Sequence, residues 1–185
     1  MTERSYIDNL IAVFNNLSID AVIRARAALT LARISKKSVY LFGNGGSGST
    51  ASHFTSDLNK GAINGKEPRF KAVCLNDNVP ALTAWANDSG YNDVFSEQVR
   101  NFVSPGDVVV GISGSGNSMN VLDGIHAARD AGAITIGITG FDGGKLKDSV
   151  DIVVLVNSDC MEIVEDVHLA LCHSIAVSLR RGGQQ

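Results

Sequence analysis

Five short apolar segments rich in β-branched residues alternate with segments of helical periodicity along this chain. The five segments are SVYLFG (38–43), FKAVCL (70–75), DVVVGI (107–112), AITIGIT (133–139) and DIVVLV (151–156). Continuous apolar runs of this length are typical of strands buried on both faces, as in a parallel sheet. The alternation therefore predicts an α/β fold, a three-layer sandwich in which helices cover both faces of a five-stranded parallel sheet.

Helical patterns fill the intervals between these strands and also precede and follow them. They lie at about 47–60, 79–103, 118–131, 143–149 and 161–180, with a long N-terminal helix predicted over 5–35. In that first helix apolar residues recur roughly every 3.6 positions, and further apolar side chains lie off this stripe. We expect one domain over residues 1–185, in which residues 1–36 pack against another subunit and residues 37–185 form the α/β core.

Composition and charge exclude several classes of protein. The chain has 185 residues, enough for one domain with a substantial core, and its net charge of −3 gives no basic surface for nucleic acid. No apolar run approaches the roughly 18 residues that a membrane span needs, and no signal-peptide pattern is present. The three cysteines lack the spacing of metal-binding pairs and fit reduced thiols. We therefore expect a cytoplasmic protein that binds neither nucleic acid nor membranes.

Two Gly/Ser-rich segments directly follow the first and third predicted strands. They are GNGGSGST at 43–50, the first turn, and GISGSGNSMN at 111–120, the second turn. Glycine lets the backbone approach a ligand closely, and a helix N-terminus carries positive potential, so a strand-to-helix turn of this kind suits phosphate. Ligands in parallel α/β folds lie beyond the carboxyl ends of the strands. The two turns therefore predict a phosphorylated metabolite held between them.

The chemistry of the turns favours a phosphate monoester over a dinucleotide. The first turn matches G-x-G-x-x-G at 43–48, but that motif needs an acidic partner at the end of the next strand, and Asp77 comes late for this role. In the second turn the hydroxyls of Ser113, Ser115 and Ser118 surround a glycine. Such a dense group of donors suits the three terminal oxygens of a phosphate monoester.

The turns, together with NDSGYNDVFSEQV (87–99), GDVVVGIS (106–113) and TGFDGGKL (139–146), resemble the sugar isomerase (SIS) domain. Within that family the chain is most similar to the phosphoheptose isomerase group, over nearly its whole length. The resemblance implies a flavodoxin-like fold and a homotetramer with active sites near subunit contacts. It implies substrate binding by Asn44, Gly45, Gly46, Ser47, Asp57, Asn87, Asp88, Ser113, Gly114, Ser115, Ser118 and Glu165.

Metal ligation is suggested by residues outside the turns. His53 and Asp57 lie four residues apart, so they share one face of the helix that follows the first turn. Such a pair can chelate a divalent metal or act in acid/base catalysis, although surface ion pairs also have this spacing. In the last helix, spacing alone does not select a unique ligand set. The resemblance implies a metal site formed by His53, Asp57, Glu165 and His173.

Several positions depart from the family pattern. Asp57 replaces a longer Glu and Glu165 replaces a Gln, which leaves two histidines and two carboxylates, a set suited to Zn²⁺. Glu97 and Ile163 stand where the family has Arg, and Asn59 begins a segment where the family has Gly-Arg-Tyr or Gly-Arg-Phe. These differences surround the expected position of the middle of the sugar, so an isomerase of a different phosphosugar stays open.

The resemblance implies a metal-assisted aldose–ketose isomerase. The expected reaction converts sedoheptulose 7-phosphate to D-glycero-D-manno-heptose 7-phosphate, a step toward activated heptose for lipopolysaccharide or capsule, through a cis-enediol. Asp57 is the expected base and His173 the complementary acid/base. A non-catalytic SIS protein, such as a phosphosugar-binding regulator or a protein that binds the replication initiator, is the alternative from a different class. Retention of His53, a carboxylate at position 57 and His173 favours the enzyme.

Overall fold

The structure of the chain, a computed structural model, describes residues 1–182 and confirms the predicted α/β architecture. Its five strands are β1 (Val39–Gly43), β2 (Ala72–Cys74), β3 (Val108–Ser113), β4 (Ile134–Gly140) and β5 (Ile152–Val156). Every pair of neighbouring strands is parallel, and the order across the sheet is β2-β1-β3-β4-β5. The last three residues of the predicted domain, 183–185, lie outside the described residues.

Within residues 1–182, seven α-helices surround the sheet. They are α1 (Glu3–Asn15), α2 (Ile19–Ile34), α3 (Gly45–Ser56), α4 (Val79–Asp88), α5 (Asp93–Phe102), α6 (Met119–Asp130) and α7 (Met161–Arg180). A π-helical turn (Asp57–Gly61) continues α3, and a 3-10 turn (Leu146–Asp148) precedes β5. None of the described helices is long and apolar enough to cross a membrane.

The strand side chains point alternately to two separate cores, which gives the three layers. Leu41 of β1 lies in a core formed with α2, α3 and α7, whereas Tyr40 and Phe42 lie in a core formed with α5 and α6. Both cores are built largely from fully buried aliphatic side chains. The expected sandwich, with helices on both faces, is therefore confirmed.

The predicted helix over 5–35 is divided into α1 and α2, which corrects the expectation of one long element. Asn16 ends α1 with non-helical backbone angles, and Ser18 is the extended N-cap residue of α2. Asn is a common helix terminator, and Ser followed by an acidic residue is a common helix start. The apolar recurrence continues across the break and conceals it. The helical region predicted over 79–103 is divided in the same way, at Gly90, whose φ of +132° is unsuited to a helix.

The strand order brings the two turns together. β1 has β2 on one side and β3 on the other, so the chain changes direction across the sheet between β1 and β3. Gly43, the last residue of β1, is in register with Ile112 near the end of β3. Parallel α/β sheets bind ligands at this kind of switch point. The first and second turns leave the sheet there, side by side.

Candidate functional site

A cavity of about 250 Å³ lies between the two turns and the start of α7. It is lined by Asn44, Gly45, Gly46, Ser47, Ser113, Gly114, Ser115, Ser118, Met161 and Glu165. Nine of these ten residues belong to the predicted substrate-binding set, and Met161 is the addition. The cavity is thus formed by groups that can hydrogen-bond a small polar ligand.

The first turn delivers the N-terminus of α3 to this cavity. Asn44 is the extended N-cap residue of α3, and Gly45 has a φ of +52°, a left-handed conformation that glycine adopts without strain. Gly43 is needed for a different reason, since a Cβ there would lie only 2.7 Å from the carbonyl oxygen of Ile112. The first backbone N–H groups of a helix lack intrahelical acceptors and are free to meet an anion.

The second turn forms a compact group of hydroxyls before α6. Ser113 is 4% exposed, and its hydroxyl donates to the Ser118 hydroxyl at 3.2 Å. The Ser115 hydroxyl accepts a hydrogen bond from the backbone N–H of Asn117 at 3.2 Å. Ser118 is also the N-cap residue of α6. Hydroxyl donors and a second helix N-terminus therefore meet at one wall of the cavity.

Glu165 closes the cavity from α7. Its carboxylate lies against the Cα of Gly46 so closely that any side chain at position 46 would overlap with it. Farther along the same two helices, His53 of α3 contacts His173 of α7. Gly46 precedes His53 in α3, and their respective partners, Glu165 and His173, come in the same order in α7. The two helices therefore run side by side in the same direction.

His53, Asp57 and His173 form a compact cluster on the surface between α3 and α7. The two histidine Nε2 atoms are 3.1 Å apart, and Asp57 Oδ2 lies 3.8 Å from His53 Nε2 and 3.6 Å from His173 Nε2. Tetrahedral Zn²⁺ with bonds of about 2.0–2.1 Å holds its donor atoms about 3.3 Å apart. The three donor separations and the two-nitrogen, one-oxygen composition therefore fit a zinc-like ion.

Asp57 occupies an unusual local environment. It begins the π-helical turn, and its backbone carbonyl accepts from Ala62 N–H at 2.7 Å. Its Oδ2 atom is buried and has no hydrogen-bond partner among the described residues. Burial, together with the negative charge of Asp57, raises the pKa of the Cys172 thiol, so this thiol stays neutral. A buried carboxylate oxygen without a partner is a group that a cation or an acidic proton would satisfy.

The structure does not bring together every predicted site residue. Among the described residues, Glu165 lies outside the His53–Asp57–His173 cluster and lines the cavity instead. Asn87 and Asp88 are exposed at the end of α4, where the Asn87 amide donates to the Asp88 carboxylate at 2.7 Å, and neither lines the cavity. Three of the four predicted metal ligands are therefore clustered.

Sequence reasoning missed three polar side chains at or near this site. Asn120 and Tyr91 hydrogen-bond to Asn44, and His168 lies fully buried on α7 between Glu165 and His173. Burial lowers the pKa of His168 to about 4, so its imidazole is neutral near pH 7. The pattern SGSGNSMN places Asn120 just inside a helix after a phosphate-type turn, which is the signal that could have indicated its role.

Comparison with known proteins finds related sequences along nearly the whole chain. The SIS domain profile matches residues 5–140. A curated protein of Thermoplasma acidophilum named "Probable phosphoheptose isomerase" is 38% identical over 179 residues, covering 97% of this chain and 98% of that protein. The phosphoheptose isomerase of Aliarcobacter butzleri is 41% identical over 137 residues, covering 74% of this chain and 72% of that protein.

Solved structures give the same result at the level of the whole fold. Phosphoheptose isomerase GmhA from Neisseria gonorrhoeae superposes with a TM-score of 0.88 at 29% identity, covering 96% of each chain. A phosphoheptose isomerase from Francisella tularensis gives a TM-score of 0.89 at 29% identity, covering 98% of this chain and 100% of that one. The match to the domain profile, the near-complete coverage and the two facing turns lead to one conclusion: this chain belongs to the SIS domain family.

Proposed function

We propose that this chain is an aldose–ketose isomerase of phosphorylated sugars, with sedoheptulose 7-phosphate as substrate and D-glycero-D-manno-heptose 7-phosphate as product. The observation that carries the proposal is the His53–Asp57–His173 cluster on the two helices that also border the cavity. Relatives named phosphoheptose isomerase, similar along nearly the whole chain, support the choice of substrate.

The distance between cavity and cluster also supports a long substrate. From Gly46 to His53 is seven residues of α3, and from Glu165 to His173 is eight residues of α7, which corresponds to about 10–12 Å of helix. An extended seven-carbon sugar measures about 10 Å from C1 to the phosphorus of its 7-phosphate, whereas a five-carbon sugar phosphate measures about 7–8 Å. A heptose phosphate held at the turns would therefore bring its C1 and C2 nearest to the cluster.

The cavity would hold the phosphate end of the substrate. The hydroxyls of Ser113, Ser115 and Ser118 and the N-termini of α3 and α6 donate to phosphate oxygens. Glu165 carries a charge of the same sign as phosphate, so its role is to accept a hydrogen bond from a sugar hydroxyl. The predicted contacts of Asn87 and Asp88 with sugar hydroxyls remain a prediction.

Isomerisation requires a proton to leave the carbon beside the carbonyl and return to its neighbour. Asp57 Oδ2 faces His173 at 3.6 Å, and a carboxylate has a second oxygen, which can take this proton. Asp57 is the base in this proposal, and His173 moves the proton between the hydroxyl and carbonyl oxygens of the cis-enediol. His53 Nε2 lies 3.1 Å from His173 Nε2, so the two imidazoles can face one ligand.

A divalent metal fits this cluster, and we propose Zn²⁺ held by one atom each of His53, Asp57 and His173. A carboxylate has two oxygens and an imidazole two nitrogens, so Asp57 and His173 would each keep one atom for proton transfer. Three protein ligands leave coordination positions open for a substrate, as catalytic zinc sites require. When bound, the ion supplies polarisation of the carbonyl oxygen and neutralises negative charge on the enediolate. Glu165 lines the cavity and lies outside this three-residue group, so we propose it as a substrate-binding residue, and its predicted role as a fourth metal ligand remains a prediction.

Assembly as a homotetramer is supported by the outer surfaces of the first two helices. The side chains of Leu10 and Val13 pack inward from α1, yet Ile7, Ile11 and Phe14 on its other face are 49%, 53% and 39% exposed. A groove of about 340 Å³ along α2, with Leu31 and Ile34 in its lining, adds apolar surface. Such surfaces commonly pack against other subunits.

The three free cysteines suit the reducing cytoplasm, which is the location that we propose.

A panel of C5, C6 and C7 sugar phosphates, incubated with and without Zn²⁺ and followed by NMR, tests the proposed function. We expect aldose–ketose conversion of sedoheptulose 7-phosphate, with loss of activity after chelation and recovery on addition of Zn²⁺. Conversion of a shorter sugar phosphate alone would overturn the assignment of sedoheptulose 7-phosphate as the substrate. Tight binding of a sugar phosphate with no turnover of any member would overturn the isomerase and favour the non-catalytic SIS alternative.

A further inference from the structure

A chain of hydrogen bonds behind the first turn ends at Asn44, a residue that lines the cavity. Asn44 and Asn120 form a reciprocal pair, in which the amide of each donates to the side-chain oxygen of the other at 2.8 Å. The Tyr91 hydroxyl donates to the same Asn44 oxygen at 2.9 Å. Asn44 is therefore held by two side chains that come from separate parts of the sequence.

The backbone of α6 fixes the direction of these bonds. Val121 is the third residue of α6, so its N–H has no acceptor within the helix, and it donates to Asn120 Oδ1 at 3.0 Å. Rotating the Asn120 amide by 180° would place two donors face to face, so its oxygen must lie toward Val121. Because Asn120 Oδ1 accepts from Asn44, the Asn44 nitrogen must lie toward that oxygen, which fixes the orientation of the Asn44 amide. The Tyr91 hydroxyl then faces the Asn44 oxygen and must donate to it.

The bonds that Asn44 already makes determine which hydrogen bonds its side chain can form with a ligand. A side-chain amide has two lone pairs on oxygen and two N–H groups on nitrogen. Both lone pairs of Asn44 Oδ1 are used, by Asn120 and Tyr91, and one N–H is used by Asn120. One N–H remains. Asn44 is thus held as a hydrogen-bond donor, and its side chain recognises an acceptor on the ligand, not a hydroxyl proton.

Burial separates the roles of the two supporting residues. Asn120 is only 3% exposed, so it provides a rigid support that is isolated from solvent. Tyr91 is 54% exposed and lies in the segment between α4 and α5 that directly follows Asn87 and Asp88 at the end of α4. Its hydroxyl is the side-chain link between this exposed segment and Asn44. The bond therefore couples the position of the segment to the donor in the cavity.

We propose that Tyr91 and Asn120 are positioning residues that hold Asn44 as a donor toward an acceptor oxygen of the bound sugar phosphate. Neither side chain lines the cavity, so both act through Asn44. This inference rests on the proposed function for the identity of the ligand. It goes beyond that function by assigning roles to Tyr91 and Asn120 and by fixing the hydrogen-bonding sense of Asn44.

A double-mutant cycle tests whether Tyr91 acts through Asn44. Tyr91→Phe removes only the hydroxyl, and we expect it to raise the KM for sedoheptulose 7-phosphate roughly 2- to 10-fold, with kcat changed less than about 2-fold, as loss of one neutral hydrogen bond allows. In an Asn44→Ala background the same substitution should have no further effect, because the residue through which it acts is gone. Independent, multiplicative effects of the two substitutions would overturn the proposal.

Tyr40→Phe is the matched control for this cycle. The Tyr40 hydroxyl donates to the carbonyl oxygen of Phe102 at 3.0 Å, a bond of nearly the same length near the opposite end of β1. We expect this variant to keep the KM of the unmodified chain. An equal rise of KM in Tyr40→Phe would show that Tyr91→Phe acts through general loosening of the fold, which would overturn the positioning role.

Crystal structures of Asn120→Ala and Tyr91→Phe provide a readout that needs no activity. We expect the Asn44 side chain to leave its present orientation in Asn120→Ala and, in Tyr91→Phe, to stay paired with Asn120 but with a higher B-factor than in the unmodified chain. An unchanged Asn44 side chain in Asn120→Ala would overturn the role of Asn120. If the unmodified chain fails to bind sedoheptulose 7-phosphate in calorimetry, the proposed substrate fails, and these structures still decide whether Asn44 is positioned as proposed.

Discussion

The cavity between the turns and the His53–Asp57–His173 cluster lie on the same pair of helices but are built in different ways. At the cavity, Ser113 pairs with Ser118 and Asn44 with Asn120, so polar side chains are already hydrogen-bonded. At the cluster, Asp57 Oδ2 is buried and has no hydrogen-bond partner within residues 1–182, and the side chains of His53 and His173 are 51% and 47% exposed. In the cavity, polar side chains satisfy one another's hydrogen-bonding groups. In the cluster, two imidazoles and a carboxylate oxygen are close enough to bind one cation.

This difference separates binding from chemistry. A pre-formed cavity reduces the entropy that is lost when a ligand is ordered, so it contributes to affinity. A carboxylate that is left without a hydrogen bond keeps its capacity to accept a proton or to hold a cation. Substitutions in the cavity should therefore change KM, and substitutions in the cluster should change kcat or metal content.

The largest effect is expected from Asp57→Asn, which keeps the shape of the side chain but removes the proton acceptor. We expect kcat for sedoheptulose 7-phosphate to fall roughly 10²- to 10⁴-fold, with KM within about 3-fold, since general-base catalysis contributes on this scale. NMR-monitored isomerisation gives both constants. A variant with more than a tenth of the original kcat would show that Asp57 is not the base and would break the division between the two regions.

Removing one histidine from the cluster tests its capacity to hold metal. For His53→Ala we expect Zn²⁺ affinity to fall roughly 100-fold or more, because even an outer partner of a zinc ligand is worth 10- to 100-fold. Competition with a chromogenic chelator measures this affinity. His126, exposed on α6, provides the matched variant His126→Ala, which should bind Zn²⁺ like the unmodified chain. Equal Zn²⁺ affinities in the two variants would argue that the ion binds elsewhere.

His168 lies on α7 between Glu165 of the cavity and His173 of the cluster, and its burial makes the stability of the fold depend on pH. Its pKa is lowered to about 4 from 6.5 by burial, so the folded chain binds its proton less readily than the unfolded chain. The contribution of His168 is therefore fully present above pH 6.5 and is lost as the pH falls toward 4. A shift of this size corresponds to about 3 kcal/mol across that range.

The measurement for His168 is urea unfolding of metal-free protein at pH 7 and pH 4.5. We expect His168→Leu to lose clearly less stability than the unmodified chain between these two pH values, because leucine binds no proton. Comparison with the unmodified chain removes the contribution of the carboxylates, which both proteins share. An identical pH dependence would mean that the histidine is hydrated or paired in solution, and that the buried face of α7 opens to solvent.

The sequence predicts the cavity better than it predicts the cluster, for a physical reason. Each turn is a local feature in which glycine, serine and the start of a helix follow a buried strand, and a parallel fold brings both turns to the same edge of the sheet. The adjacency of β1 and β3 is known only from the structure. The contact between His53 and His173 joins residues 120 positions apart. Helical spacing places His53 beside Asp57, but nothing local in α7 selects His173 over His168 as their neighbour.

Two further features were beyond what periodicity can indicate. The break at Asn16 lies inside a continuous apolar pattern, so only the capping residues signal it. The position of Glu165 depends on the direction in which α7 packs against α3, which sets the carboxylate against Gly46 and away from Asp57. Family resemblance supplied the four ligand positions, and packing decided which three of them meet.

The smallest effect is expected at the cavity, from Ser113→Ala. This substitution removes one donor to a charged phosphate and leaves the Ser118 hydroxyl without its partner, so KM should rise about 10-fold while kcat changes less than about 2-fold. Ser49→Ala is the control, because Ser49 is an exposed serine of α3 that does not line the cavity within the described residues. A fall in kcat as large as the rise in KM would mean that phosphate contacts are strengthened in the transition state. The cavity would then take part in the chemistry, and the separation between holding the substrate and reacting with it would not apply to this enzyme.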